Sequence, residues 1–307
     1  MEVLIADGMS QDGTRDVIDR YSARHPLIQH FPNPKGFVSA GLNEAIRRAR
    51  GEVILRMDVH TDYAPDYVRQ CLAVLEETGA QNVGGPTQTA ADGYFQNISK
   101  IVYHAKIGTG GARFHDVNYE GPVDTVSYGC WRRQTLVDLG GFDENLIRNQ
   151  DDELNLRLTR AGGKIWQSRR INSWFHPRSS LKKLFRQYLE YGYWKPYVIK
   201  KHKLPSSVRQ LIPPLFALVF TLGAIASLPF SAIRPWFAAL AVLYAGALIL
   251  SSIWECRRPA MWKYIPLLPA GFMAIHFGYG WGFWMGLADI ALGRRSAVAA
   301  KPAVLSR

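Results

Sequence analysis

Short apolar runs alternate with polar stretches through the first 205 residues, and long apolar runs dominate after residue 210. Glu2–Ala6 is rich in strand formers and ends at the turn pair Asp7-Gly8. Val17, Ile18 and Tyr21 give Thr14–Ser22 a helical spacing. Ile28–Phe31 reads as a strand and Pro32-Asn33-Pro34-Lys35-Gly36 as a loop. Ser39–Arg50 reads as a helix, and Val53–Met57 as a strand with Asp58-Val59-His60 at its carboxyl end. Pro65–Thr78 places Val68, Leu72 and Leu75 on one helical face, and Asn82–Gly85 is a further strand. This β-α-β-α-β alternation predicts a mostly parallel sheet with helices on its faces. Such sheets bind ligands beyond the carboxyl ends of their strands, where Asp7, Asp58 and His60 fall.

Residues 86–127 are less regular. Val123–Ser127 reads as a strand and Gln134–Leu139 as a short helix. Asp151–Ala161 is a helix with Leu154 and Leu158 on one side, and Lys164–Gln167 is a strand. Leu181–Lys203 is basic, aromatic and amphipathic, with a break expected at Pro196. Three apolar segments follow, Leu211–Phe230, Trp236–Trp254 and Ile265–Leu287. Each is about 20 residues, the length a helix needs to cross a bilayer. Buried core helices are the other reading of such segments.

Composition narrows the class. With 48% hydrophobic and 20% charged residues in 307, the chain is too apolar for a disordered protein. Cys71, Cys130 and Cys256 are too few and too scattered for a disulfide framework, and read as reduced thiols. The net charge of +12 suits an anionic membrane or a phosphorylated substrate. No recognition motif accompanies it, so nucleic acid is not an expected partner. Lys200, Lys201, Lys203 and Arg209 precede the first apolar segment, and Arg257, Arg258 and Lys263 follow the second. Only Arg234 lies between those two, which predicts that residues 1–209 face the cytoplasm. A third span would leave Arg294, Arg295 and Lys301 outside, so Ile265–Leu287 reads equally as a re-entrant segment or two short pieces.

Four places carry candidate chemistry. Asp58 and His60, one residue apart at a strand end, could share a divalent metal with a nucleotide diphosphate; a surface acid beside an unrelated histidine has the same pattern. Asp7 could accept from a base or a ribose, although Asp-Gly turns need no ligand. Asp151 opens a helix, where the dipole alone favours an acid. The same field keeps its carboxylate ionised, and an ionised carboxylate in a cleft can take a proton from a sugar hydroxyl. Arg186-Gln187 and the aromatics after it suggest an interfacial helix, with a substrate role for Gln187 as the sharper reading.

The segments "EVLIADGMSQDGTRDVI", "NPKGFVSAGLNEAIRRARGEVILRMDVHTDY", "VDTVSYGCWRR", "GGFDENLIRNQDDELNLRLTRAGGKIW" and "PRSSLKKLFRQYLEYGYWK" together resemble glycosyltransferase family 2, in particular its succinoglycan-biosynthesis branch. The resemblance covers nearly all of residues 1–203 and implies a GT-A fold, Rossmann-like and mostly parallel. It also implies inverting transfer of a hexose, glucose foremost, from a UDP-sugar to a polyprenyl-diphosphate-linked saccharide in exopolysaccharide synthesis. By that resemblance Asp151 is the catalytic base. Asp7, Lys35, Asn43 and Asp58 meet the nucleotide-sugar, and Asp58 and His60 hold Mg²⁺ or Mn²⁺. Asp152, Arg186, Gln187, Tyr191 and Lys195 serve the acceptor or an interface.

The Arg-Trp part of the processive synthase signature is absent after Gln187, which implies one sugar per encounter. The family pattern also has a strand and helix ahead of the one that begins at Met1, a βα unit of roughly 30–40 residues. The expected organisation is a cytoplasmic GT-A domain over 1–205, a membrane domain over 206–292 with two to four spanning or re-entrant segments, and a basic tail over 293–307. The alternative expectation is a catalytically inactive, membrane-anchored partner of other polysaccharide-assembly proteins.

Overall fold

The computed structural model describes residues 1–294; residues 295–307 of the expected basic tail lie outside the described residues. Val3–Asp7 (β1) and Ile28–Pro32 (β2) pair in parallel across helix Thr14–Arg24 (α1). Helix Val38–Arg48 (α2) leads to Val53–Leu55 (β3) and Thr61–Tyr63 (β4). Helix Tyr67–Thr78 (α3), strands Asn82–Gly85 (β5) and Gln88–Thr89 (β6), and helices Tyr94–His104 (α4) and Lys106–Thr109 (α5) follow. Next come Gly121–Pro122 (β7), Ser127–Arg132 (β8), Arg133–Asp138 (α6) and Gln150–Arg160 (α7). Ile165–Gln167 (β9) and Ser173–Phe175 (β10) complete the strands, before Leu181–His202 (α8), Ile212–Ser227 (α9), Arg234–Glu255 (α10) and Leu268–Ala291 (α11).

The main sheet has the order β3-β8-β5-β9-β7. β3, β5 and β9 run one way, while β8 and β7 run against them. The sheet is therefore mixed, with antiparallel β8 threaded between β3 and β5 and antiparallel β7 at the far edge. Successive side chains of β8 face opposite layers, as pleating requires. Cys130 packs with Tyr67, Cys71 and Val74 of α3, whereas Trp131 packs with Leu136, Phe142, Leu154 and Leu158. A smaller sheet, β4-β10-β6, stands apart from the main one, as does the β1-β2 pair. The Glu2 carboxylate accepts the Arg50 and Gly51 amides at 2.7 and 3.1 Å, tying β1 to the entry of β3.

Three expectations need correction. The strand expected over Val123–Ser127 begins at Ser127 instead, because Val123 spends its amide on the Ile165 carbonyl as a loop contact. The irregular stretch after residue 86 contains α4, whose signal was the helical spacing of buried Ile98, Ile101 and Val102. Pro196 does not break α8, which runs through it from Leu181 to His202. The proline takes one donor from the ladder. The helix persists because Tyr193, Trp194, Pro196 and Val198 are buried around it.

The last apolar segment is also one continuous helix, α11, and glycines set its position. Gly278, Gly282 and Gly286 lie against the carbonyl groups of Phe185, Leu189 and Tyr193. Both series rise by four, so α11 and α8 run parallel with their backbones in contact, as small residues permit. A methyl group on Gly282 would sit 2.1 Å from the Leu189 oxygen. At its start α11 buries Leu268 and Phe272 with Ile98 and Val102 of α4. At its end the Asp289 carboxylate accepts the Tyr193 hydroxyl at 2.6 Å. α11 thus touches the α/β domain from first turn to last. Two stretches among the described residues are long and apolar enough to cross a membrane, Val208–Ser227 and Ser231–Glu255, and each is mostly unburied. Their outward residues, among them Leu215, Val219, Leu222, Leu243 and Leu250, are exposed.

Gly282→Val forces this packing apart. It is expected to cost about 3 kcal/mol through overpacking and to lower the thermal midpoint of the detergent-solubilised protein. Gly246→Val, at a position with no neighbour within 4 Å, is the control; equal midpoints for the two variants would contradict the close approach.

Candidate active site

β3 ends at Leu55, but the chain stays bonded to β8 for one more residue, the Arg56 amide donating to the Gly129 carbonyl at 3.2 Å. That aims the Arg56 side chain inward, where it is only 7% exposed. Its guanidinium grips Asp58 through both carboxylate oxygens, at 2.8 and 3.0 Å. A further N–H reaches Asp151 Oδ1 at 2.5 Å. The backbone of Asp58 is fixed too, its amide donating to the Tyr63 hydroxyl at 2.6 Å. Burial pushes the Tyr63 phenol up to about 12, so it stays protonated.

Asp151 comes from the first turn of α7. The preceding Asn149 adopts a left-handed conformation (φ 61°) that asparagine tolerates, and its side-chain amide donates to the Tyr191 carbonyl at 2.9 Å. Asp151, Asp152 and Glu153 follow one another, so their side chains leave the helix about 100° apart. Asp151 turns to Arg56. Asp152 turns to the Lys195 ammonium of α8 at 2.6 Å and also accepts the Ser206 hydroxyl at 3.0 Å. Glu153, fully buried, accepts from Arg157 and approaches His202 Nε2 at 2.9 Å.

The environments separate these acids. Desolvation in the cleft raises the Asp151 carboxyl above the ordinary range; Arg56 opposes that shift, and the charges of Asp58 and Asp152 add to it. For Asp152, burial pushes upward but Lys195 and its hydroxyl and amide partners outweigh it, so the carboxyl lies below the ordinary range. Two adjacent acids pushed apart in this way are suited to different roles, the raised one to accepting a proton and the lowered one to staying a fixed anion. Asp151 remains 41% exposed as a side chain, and among the described residues no hydrogen bond engages its Oδ2. A basic oxygen therefore faces the cleft.

The other expected residues are placed as follows. Asp7 accepts Arg15 Nε at 2.7 Å and the Ser10 amide at 3.2 Å. These bonds hold its carboxyl low despite burial. Lys35 pairs with Glu144 at 2.5 Å. Asn43 binds the Phe142 amide and carbonyl, fastening α2 to the loop before α7. Gln187 accepts the Tyr103 hydroxyl at 2.6 Å and donates to the Tyr191 hydroxyl at 2.9 Å, which joins α4 to α8. Arg186 faces outward, 69% exposed, and pairs with Glu190.

His60 is exposed on the turn after Asp58, with Thr61 Oγ1 3.5 Å from its Nδ1. Among the described residues no three acidic, histidine or cysteine side chains converge as a metal cage. One carboxylate and one accessible imidazole on the same turn instead suit a cation shared with substrate phosphates, which need few protein ligands.

Arg56, Tyr63 and Tyr128 were not singled out from the sequence. The Tyr128 hydroxyl lies 2.5 Å from Thr61 Oγ1, and its backbone is left-handed (φ 63°), costing roughly 1–3 kcal/mol where β8 passes the cleft. A signal for Arg56 did exist: a lone arginine inside the apolar run of β3 must find acids if it is buried.

The profile of Glycosyl transferase family 2 matches residues 1–137. The chain is 31% identical over 293 residues to the succinoglycan biosynthesis protein ExoA of Rhizobium meliloti (strain 1021), spanning 94% of this chain and 86% of that one. It is 29% identical over 208 residues to a dolichyl N-acetyl-alpha-D-glucosaminyl phosphate 3-beta-D-2,3-diacetamido-2,3-dideoxy-beta-D-glucuronosyltransferase of Methanococcus voltae, spanning 65% and 64%. Among solved structures, S. aureus TarS 1–349 in complex with UDP-GlcNAc aligns with a TM-score of 0.46 at 14% identity, over 95% of this chain and 83% of that one.

Lys195 is 5% exposed, so removing its charge strands Asp152 beside the cleft. Lys195→Met is expected to destabilise the solubilised protein by about 3 kcal/mol, as broken buried pairs do. The double variant Lys195→Met/Asp152→Leu should recover most of that loss. Thermal unfolding of the three proteins checks this.

Proposed function

The chain belongs to glycosyltransferase family 2, and from that premise we propose that it moves a hexose from a UDP-sugar to a lipid-linked saccharide, with inversion at the anomeric carbon. The observation that carries the reading is the meeting of Asp151, with a free and basic Oδ2, and Asp58, at the end of β3, in one cleft. In this reading Oδ2 takes the proton of the acceptor hydroxyl. The acceptor oxygen then bonds to the anomeric carbon while the bond to the UDP oxygen breaks on the opposite face. The ammonium of Lys195 keeps Asp152 paired and out of the way. Asp58 and His60 would hold Mg²⁺ or Mn²⁺, which when bound supplies positive charge at the diphosphate. The relatives' names, one from succinoglycan synthesis and one a dolichyl phosphate-linked sugar transferase, support a polysaccharide pathway and a polyprenyl-linked acceptor.

The same reading places the α/β domain at the cytoplasmic face of a membrane, anchored by a hairpin of α9 and α10. Because α11 holds to the α/β domain along its length, Arg257, Arg258, Lys263 and Arg294 all lie on that domain's side. This removes the conflict that a third span creates with the positive-inside rule. Arg234, at the hairpin tip, bonds the Ser227 and Leu228 carbonyls, which offsets its charge in part.

Asp151→Asn is expected to lower kcat by about a thousandfold while UDP binding persists; undiminished turnover would remove Asp151 as the base. The base must be ionised to act and its carboxyl is raised, so kcat/KM should fall with decreasing pH along a limb that lies above the ordinary carboxylate range. Reporter fusions test the topology. A fusion at Ala232 should report the far side and one after Arg294 the cytoplasm; a far-side signal after Arg294 would require a third span.

A further inference from the structure

Asp58 and Asp151 stand 93 positions apart in the sequence and on different elements, yet one side chain holds both. A planar guanidinium forks onto a carboxylate in a fixed plane and leaves its remaining N–H groups at set angles. Arg56 spends its Nε and Nη2 on the two oxygens of Asp58 and its Nη1 on Oδ1 of Asp151. Holding Oδ1 restricts the rotation of the carboxylate and so the directions open to Oδ2, the oxygen left for the acceptor. Burial of the guanidinium, with Tyr63 holding the Asp58 backbone, leaves little freedom in the arrangement. Stability alone is a weak explanation, since replacing a buried ion cluster with apolar groups is commonly neutral or better.

We propose that Arg56 is a positioning residue that sets the catalytic carboxylate of Asp151 against the donor site by bridging it to Asp58. The inference rests on Asp151 being the base. Lysine at this place keeps the charge and most of the stem but cannot fork. A lysine ammonium can stay on Asp58, whose backbone Tyr63 holds in place, but cannot span to Asp151 as well, so Arg56→Lys leaves the donor site formed and lets Asp151 swing.

The test measures UDP affinity, KM for the donor and kcat on the full chain in detergent micelles, for wild type, Arg56→Lys, Asp151→Asn and the double variant. Arg56→Lys should bind UDP within about threefold of wild type and lose roughly a hundredfold in kcat, the scale of an ångström's misplacement. The double variant should be no slower than Asp151→Asn, because a residue that acts through another adds nothing once that one is gone. Losses that multiply would mean that Arg56 acts on the substrate by itself, and would overturn the proposal. Wild-type kcat in Arg56→Lys would overturn it too. Full activity in Asp151→Asn is a different failure, that of the base assignment.

Should Arg56→Lys fold poorly, Arg56→Ala with added methylguanidinium decides the matter. Recovery of kcat in that variant, but not in Arg56→Ala/Asp151→Asn, supports the bridge. Absence of recovery in a folded, UDP-binding Arg56→Ala overturns it.

Discussion

Two carboxylates cannot both stay ionised in a half-buried cleft unless a cation shares the space. At an effective dielectric constant near 20, like charges a few ångströms apart repel by several kcal/mol. Arg56 meets that demand for Asp58 and Asp151, and the local architecture follows from it. The last bond between the β3 edge and β8 aims the arginine inward. A left-handed asparagine starts α7 where its first turn can reach the guanidinium. The tyrosine of β4 holds the turn between the two parts.

The neighbouring acids extend the same logic to α8, the helix ahead of the long apolar segments. Each successive carboxylate of α7 meets a cation, and two of those cations, Lys195 on Asp152 and Lys201 on Glu153, belong to α8. Further along, Glu190 pairs with Arg148 just ahead of α7. α8 is thus bonded to α7 on one side and packed through glycine contacts against α11 on the other. A shift of the apolar helices would be felt at Asp152, one residue from the proposed base.

Much of this was legible in the sequence. The strands and helices of the first half, the acids at their ends and the apolar character of the last third follow from periodicity and turn chemistry, which are local. Asp58 and Asp151 stand out in the sequence because both lie at element ends, and the structure brings them onto one guanidinium. What periodicity could not show was non-local. Asn43 of α2 and Lys35 just ahead of it reach Phe142 and Glu144 in the loop before α7, contacts that no spacing announces. Arg56 lay hidden because an arginine two residues before an aspartate has many uses. Pro196 read as a break because helix propensity favours one, and tertiary packing overrode it.

The parallel course of α8 and α11 bears on how the chain is made. Parallel neighbours need a connection that runs back along their full length, and α9 with α10 supplies it. The apolar α9–α10 pair is therefore an insertion within the α/β body rather than an appendage behind it. During synthesis α8 emerges first, and the face of it that will receive Gly278, Gly282 and Gly286 of α11 must wait, an open groove, while α9 and α10 are made. Only when α11 emerges can the groove close. Completion of the α/β body is thus deferred until the two long apolar helices have been made.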